Sequence, residues 1–171
     1  SPADNDLLGQ INWYAENDAD EKTHMAQFYV TSMDVSDGTE DVRFVIQTIL
    51  GGATETSRIE LLPSETVINQ DSKDIDFRVE SDASTHLFFV DAGNDRIGIG
   101  TASPSNQIHL ESATSTTMLM KNTGNSGSQI DGDANRSSAD STIMGIVGKW
   151  NGTTVGDMLI VSGSDTTNKD D

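Results

Sequence analysis

The chain's 171 residues have room for one large or two small domains, but only 34% of them are apolar and 5% aromatic, against roughly 45–50% apolar in an ordinary globular chain. The 10 basic and 28 acidic residues give a formal net charge of −18, a field that repels nucleic acid and anionic membrane surfaces and argues against both as partners. There is no cysteine, which excludes a disulfide scaffold, a thiolate zinc site and a cysteine nucleophile.

No stretch approaches the ~18 consecutive apolar residues of a membrane-spanning helix. Residues 1–9 lack the basic and apolar regions of a signal peptide, so secretory export is not indicated; processing of a longer precursor stays open. A chain this polar borders on disorder, because it buries too little apolar surface to offset its ordering entropy. Against disorder stands a series of alternating segments. Together they point to a thin, elongated β protein whose cores are completed by neighbouring copies.

In chain order, Ile11 and Trp13 alternate with Asn12 and Tyr14, and the acidic stretch 16–20 makes a loop. Residues 25–31 read as the returning strand. Residues 34–41, with Gly38, form another acidic turn. A third strand is predicted over 42–50 with Val42, Phe44 and Ile46 on one face, closed by Gly51 and Gly52, and a fourth over 58–62. Ile75, Phe77 and Val79 then alternate with Asp76, Arg78 and Glu80, the pattern of a half-buried strand. Strands follow at 86–90, 96–100 and 108–110, separated by a turn over 91–95 and a break at Pro104. No segment keeps a 3.6-residue apolar period, so at most residues 103–106 form a single helical turn.

Residues 111–141 are poor in apolar side chains apart from Met118, Leu119, Met120 and Ile130, and 112–117 and 122–128 read as loops. The last part repeats the first. Residues 146–150, followed by Asn151 and Gly152, align with 10–14 and the loop after them, and 161–165 align with 30–34. Such repetition is expected of a protein extended along an axis. The boundaries that result are 1–65 for an N-terminal β domain, 66–115 for a second β module, and 116–171 for a linker and a partial second copy of the first domain.

Residues 89–110, Phe-Val-Asp-Ala-Gly-Asn-Asp-Arg-Ile-Gly-Ile-Gly-Thr-Ala-Ser-Pro-Ser-Asn-Gln-Ile-His-Leu, resemble a module that recurs in bacteriophage tail fibres and tail spikes. There a turn with Asn or Gly precedes an I-G-I-G-T-x-x-P run and a short returning strand. Residues 9–52, with their G-x-I-x-W start and Asp-Gly-x-Glu-Asp turn, look like the β domain that often precedes that module. The resemblance implies homotrimers with a shared three-fold core, a fold also found in capsid-stabilising (cement or decoration) trimers. On that basis the expected architecture is all-β, with short antiparallel strands in small sandwich or meander domains, an elongated intertwined homotrimer and almost no helix.

The alternation in the I-G-I-G run places Ile97 and Ile99 on one face, suited to a shared axis, with Gly98 and Gly100 letting other backbones approach closely. The candidate trimer interface is Phe77, Phe89, Ile97, Ile99, Ile108 and Leu110. A lone chain with such short strands would leave edges and apolar faces open to water, and trimerisation covers both.

Asp131-Gly132-Asp133-Ala134-Asn135 begins like a calcium loop, yet Arg136 stands where its glycine should be and Thr142 where its bidentate acid should be, so an acidic turn is the better reading. His24, His86 and His109 lack ligand spacing. A glycosidase needs two acids across a dry cleft, whereas the carboxylates here fall in solvated turns and the aromatic platform reduces to Trp13, Tyr14 and Trp150. Asn135-Arg136-Ser137 and Asn151-Gly152-Thr153 match glycosylation acceptors that bacterial cytoplasm would leave bare. The expectation is a non-enzymatic structural protein of the virion surface, assembled in the host bacterial cytoplasm, without cofactor or metal. Its partners would be its own copies, capsid or tail proteins, and a host surface glycan. Capsid decoration is preferred to a tail fibre or spike shaft, and a carbohydrate-binding module or glycan-degrading spike is the rival of another class.

Overall fold

Alternating side chains punctuated by Asp, Asn and Gly produce eleven strands and no helix in the computed structural model, which describes residues 3–52, 54–125, 127–133 and 142–161. The chain divides into two compact units, Ser1–Thr116 and Thr117–Asp171. The described strands of the first unit form a five-stranded and a four-stranded sheet; those of the second form one two-stranded sheet.

The five-stranded sheet is an antiparallel meander of β1 (Leu7–Glu16), β2 (Lys22–Asp34), β3 (Asp41–Leu50), β4 (Thr54–Leu61) and β5 (Thr66–Ile68). Its register aligns Ile11, Phe28, Ile46, Ile59 and Ile68 in one row across all five strands, and Val30, Phe44 and Leu61 in the next. Phe28 lies 5.4 Å from Trp13 and 5.7 Å from Phe44, ring centroid to centroid. The expected placement of Val42, Phe44 and Ile46 on one face follows from this register.

The other face is polar and is tied across the strands. Gln10 Nε2 donates to Gln27 Oε1, Gln27 Nε2 to Gln47 Oε1 at 2.5 Å, and Gln47 Nε2 to Ser57 Oγ at 3.0 Å, while Asp71 accepts from the Ser57 N–H at 2.7 Å. Beyond the apolar cores the strands continue through polar contacts, Ser32 N donating to the Asp6 carbonyl at 3.0 Å and His24 Nδ1 lying 2.6 Å from Glu55 Oε1. The returning strand starts at Lys22 and ends at Asp34 rather than spanning 25–31, and the fourth starts at Thr54 rather than 58. Val45, fully buried on the polar face, sits opposite Tyr29 and Glu60.

The four-stranded sheet comprises β6 (Phe77–Val79), β7 (Phe88–Asp91), β8 (Arg96–Ile99) and β9 (Ile108–Leu110) in that order. β7 begins two residues later than expected because His86 N bonds back to Ser84 Oγ at 3.3 Å, holding residues 84–86 in a turn. Residues 103–106 are irregular and do not form the single helical turn that the sequence allows. The β8–β9 pair is parallel, an exception to the antiparallel expectation. Residues 100–107 carry the chain back to the start of β8, where Ile97 N donates to the Gln107 carbonyl at 2.8 Å, and at the far end of β8 Glu111 N donates to the Ile99 carbonyl at 2.9 Å.

In the second unit β10 (Thr142–Trp150) and β11 (Thr153–Val161) form a hairpin. Its two-residue turn has Asn151 at φ 47° and Gly152 at φ 85°, the pair of left-handed residues that a type I′ turn requires. The distal part of the calcium-like segment, the acceptor match at 135–137 and the aligned positions 162–165 lie outside the described residues.

Candidate functional site

The register of the four-stranded sheet sorts its side chains without ambiguity. Phe77, Val90, Ile97 and Ile108 are successive cross-strand partners; Val79 pairs with Phe88, and Ile99 with Leu110. Since partners and every second residue share a face, these eight side chains form one surface. All eight are apolar. Phe77 is 37% exposed, Val79 41%, Ile99 40% and Ile108 65%, while Phe88, Val90, Ile97 and Leu110 are half-buried, so the surface lies largely open to solvent. The Phe77 and Phe88 rings meet edge-on at 6.4 Å, fixing one end of the patch.

The opposite face is closed by the chain itself. Phe89, buried there, meets the edge of His86 at 5.2 Å. Gly100 N donates to the His86 carbonyl at 2.9 Å, and Thr101 and Pro104 are buried in the returning segment. Arg96 holds that segment by donating to the Pro104 carbonyl at 2.8 Å.

This arrangement also reassigns the glycines. A Cβ on Gly98 would stand 2.6 Å from the Thr101 carbonyl, and one on Gly100, whose φ is +79°, would run into the Glu111 carbonyl. The backbones that need the missing side chains belong to the same chain, in place of the neighbouring copies expected from sequence.

Of the six predicted interface residues, the structure brings Phe77, Ile97, Ile99, Ile108 and Leu110 onto the open surface. Phe89 points the other way. Reasoning from sequence missed Val79, Phe88 and Val90. The run Leu87-Phe88-Phe89-Val90 is continuously apolar, so its phase is undefined until a partner strand fixes it, whereas the alternation at 77–79 did carry the signal for Val79.

The remaining candidates are dispersed. Among the described residues no three His, Asp or Glu side chains converge on a common point. His24 Nδ1 lies 2.6 Å from Glu55 Oε1, and its ring stacks on Tyr14 at 4.8 Å. Lys22 covers Tyr14 from 4.4 Å. His109 Nδ1 accepts from Ser105 N at 3.3 Å. Trp13 is engaged with Phe28, while Trp150 is 77% exposed.

Two carboxylates carry clear electrostatic roles. Glu60, buried, accepts from Arg43 Nε at 2.9 Å and from its terminal nitrogen at 2.7 Å. That hydrogen bonding holds the guanidinium above its ordinary value. Asp34 accepts from Ser36 N at 2.8 Å and from Thr39 Oγ1 at 3.0 Å. These bonds, that to the Ser36 backbone foremost, hold its carboxyl below 3.8. Both groups serve the fold of their own sheet. No family model, curated protein or solved structure gives a significant match to the chain.

Proposed function

We propose that the chain is a non-enzymatic structural subunit of the virion surface of a tailed bacteriophage, working as a homotrimer that stabilises or decorates the capsid. The observation that carries this reading is the uncharged eight-residue face of β6–β9. The chain spends its own returning segment on one side of that sheet and leaves the other open, although the uncovered side holds every apolar residue but Phe89. An exposed contiguous apolar surface marks an association site. On a chain of net charge −18, an uncharged face is where like copies can meet without opposed carboxylates. The resemblance of residues 89–110 to the trimeric fibre module supplies the particle and the stoichiometry.

A tail fibre or spike shaft is the second reading. It is favoured by the β10–β11 hairpin, whose pairing reproduces that of β1–β2, as expected of a protein extended by repetition. Gold-labelled antibody against the chain, imaged on intact particles, separates the two. Dense label over the capsid is expected, label at the tail tip supports the fibre, and label on neither overturns both.

A further inference from the structure

The segment that joins the two sheets of the first unit is short and polar: residues 69–76 read Asn-Gln-Asp-Ser-Lys-Asp-Ile-Asp. A free polar linker samples many orientations, and ordering it costs entropy. Here the bonds leave it little freedom. At the near end Asn69 N donates to the Arg58 carbonyl at 3.1 Å, continuing the β4–β5 pairing. The Asp71 carboxylate accepts from Ser57 N at 2.7 Å, which ties the connector to a buried residue beside the register shift of β4. Asn69 closes the turn between them with its own side chain, Nδ2 donating to the Lys73 carbonyl at 2.7 Å and Oδ1 accepting from Lys73 N at 3.1 Å.

At the far end the connector is held by the turn between β7 and β8. Asp76 Oδ1 accepts from Ala92 N at 3.0 Å. The Asp74 carboxylate lies against Gly93, where a Cβ would stand 2.6 Å from Oδ1 and 3.1 Å from Cγ. Ile75 N donates to the Lys73 carbonyl at 2.8 Å, so the step between the two anchorages is itself a tight turn. Asn69 and Ser72 sit at φ 62° and 50°, left-handed values that a serine keeps only where its surroundings hold it there.

We propose that residues 69–76 are a strap that locks the five-stranded sheet and the β6–β9 sheet into one body, so that a contact on the β6–β9 face also sets the orientation of the five-stranded sheet. Three aspartates carry it: Asp71 grips β4, while Asp74 and Asp76 grip the β7–β8 turn. Bonds from a main-chain N–H to a carboxylate are charge-assisted and stronger than neutral ones. The first compact unit runs from Ser1 to Thr116 without a division between residues 65 and 66, as two strapped sheets require.

The chain has no cysteine, so two introduced thiols can be labelled cleanly. Asp41→Cys on β3 and Glu80→Cys just after β6, both at exposed positions, would carry nitroxides in the full chain, diluted with excess unlabelled parent. Pulsed electron paramagnetic resonance then reads the distance within one chain, and a single narrow peak is expected. Adding Asp71→Ala and Asp76→Ala should broaden that peak about twofold, as the strap becomes a flexible polar linker, while amide exchange shows both sheets still protected. Gly93→Ala, which displaces only the Asp74 carboxylate, should broaden it as well, and it is the deciding variant if the double substitution costs either sheet its protection. A broad distribution in the parent, or a peak that keeps its width in these variants, overturns the proposal.

Discussion

Gly100 is a single residue on which the second sheet depends. It combines a left-handed backbone with a position where any Cβ meets the Glu111 carbonyl. Gly100→Ala should cost at least about 2 kcal/mol, the sum of left-handed strain and forced displacement of β9, and chemical denaturation of the purified variant reads it. Asp34 is a residue of the opposite sort, partly open to solvent and acting through hydrogen bonds within its turn. Its folded-state pKa lies below the ordinary 3.8, so its stabilising contribution is complete above that value and fades as the pH falls through the folded one. Asp34→Ala should therefore melt below the parent near neutral pH. The gap should close in acid as the parent's own carboxyl protonates. A gap that persists unchanged at the lowest accessible pH would show that the bonds to Ser36 and Thr39 do not act through the ionised form.

At the scale of elements, β3 and β4 are locked by Arg43 and Glu60, a bidentate pair in which the Glu60 side chain is 3% exposed and that of Arg43 35%. Arg43→Ala leaves the Glu60 carboxylate buried without its partner. We expect a cost of about 2 kcal/mol, below the ~3–5 for a fully buried pair because the guanidinium is partly solvated, with Glu60→Gln milder; thermal melts rank them. Neither pairing nor ladder was legible in sequence, where Arg43 and Glu60 are two charges among many and the glutamines carry no periodic signal. What was legible is what hydrophobic alternation encodes: the all-β class, the order of the strands, and the face shared by Val42, Phe44 and Ile46. The common face of Ile97, Ile99, Ile108, Leu110 and Phe77 was legible for the same reason. The face taken by Phe89 was not legible, because a run of four apolar residues has no phase of its own. The parallel β8–β9 pair was hidden because its direction is set by the path of residues 100–107, closed by the Arg96–Pro104 and Ile97–Gln107 bonds.

For the whole molecule, the proposed trimer has the apolar face of β6–β9 meeting its counterparts in two other chains. Each Ile or Leu side chain that goes from exposed to fully buried there contributes roughly 1.5–3 kcal/mol, and the side chains already half-covered contribute a part of that. Ile99 is 40% exposed in the single chain, so Ile99→Asp should leave the subunit folded. In a trimer the same change sets three unpartnered carboxylates together in an apolar contact, and assembly should fail. Arg78, on the opposite face of β6 and paired with Glu80 at 2.7 Å, provides the control, since Arg78→Gln should assemble as the parent does. The deciding measurement is the mass in solution of the parent and of Ile99→Asp, by light scattering at micromolar concentration and physiological salt. The parent should have three times the 18.3 kDa chain mass and the variant the mass of one folded chain. A parent that runs as a folded monomer, or an Ile99→Asp trimer that melts with the parent, would contradict the architecture.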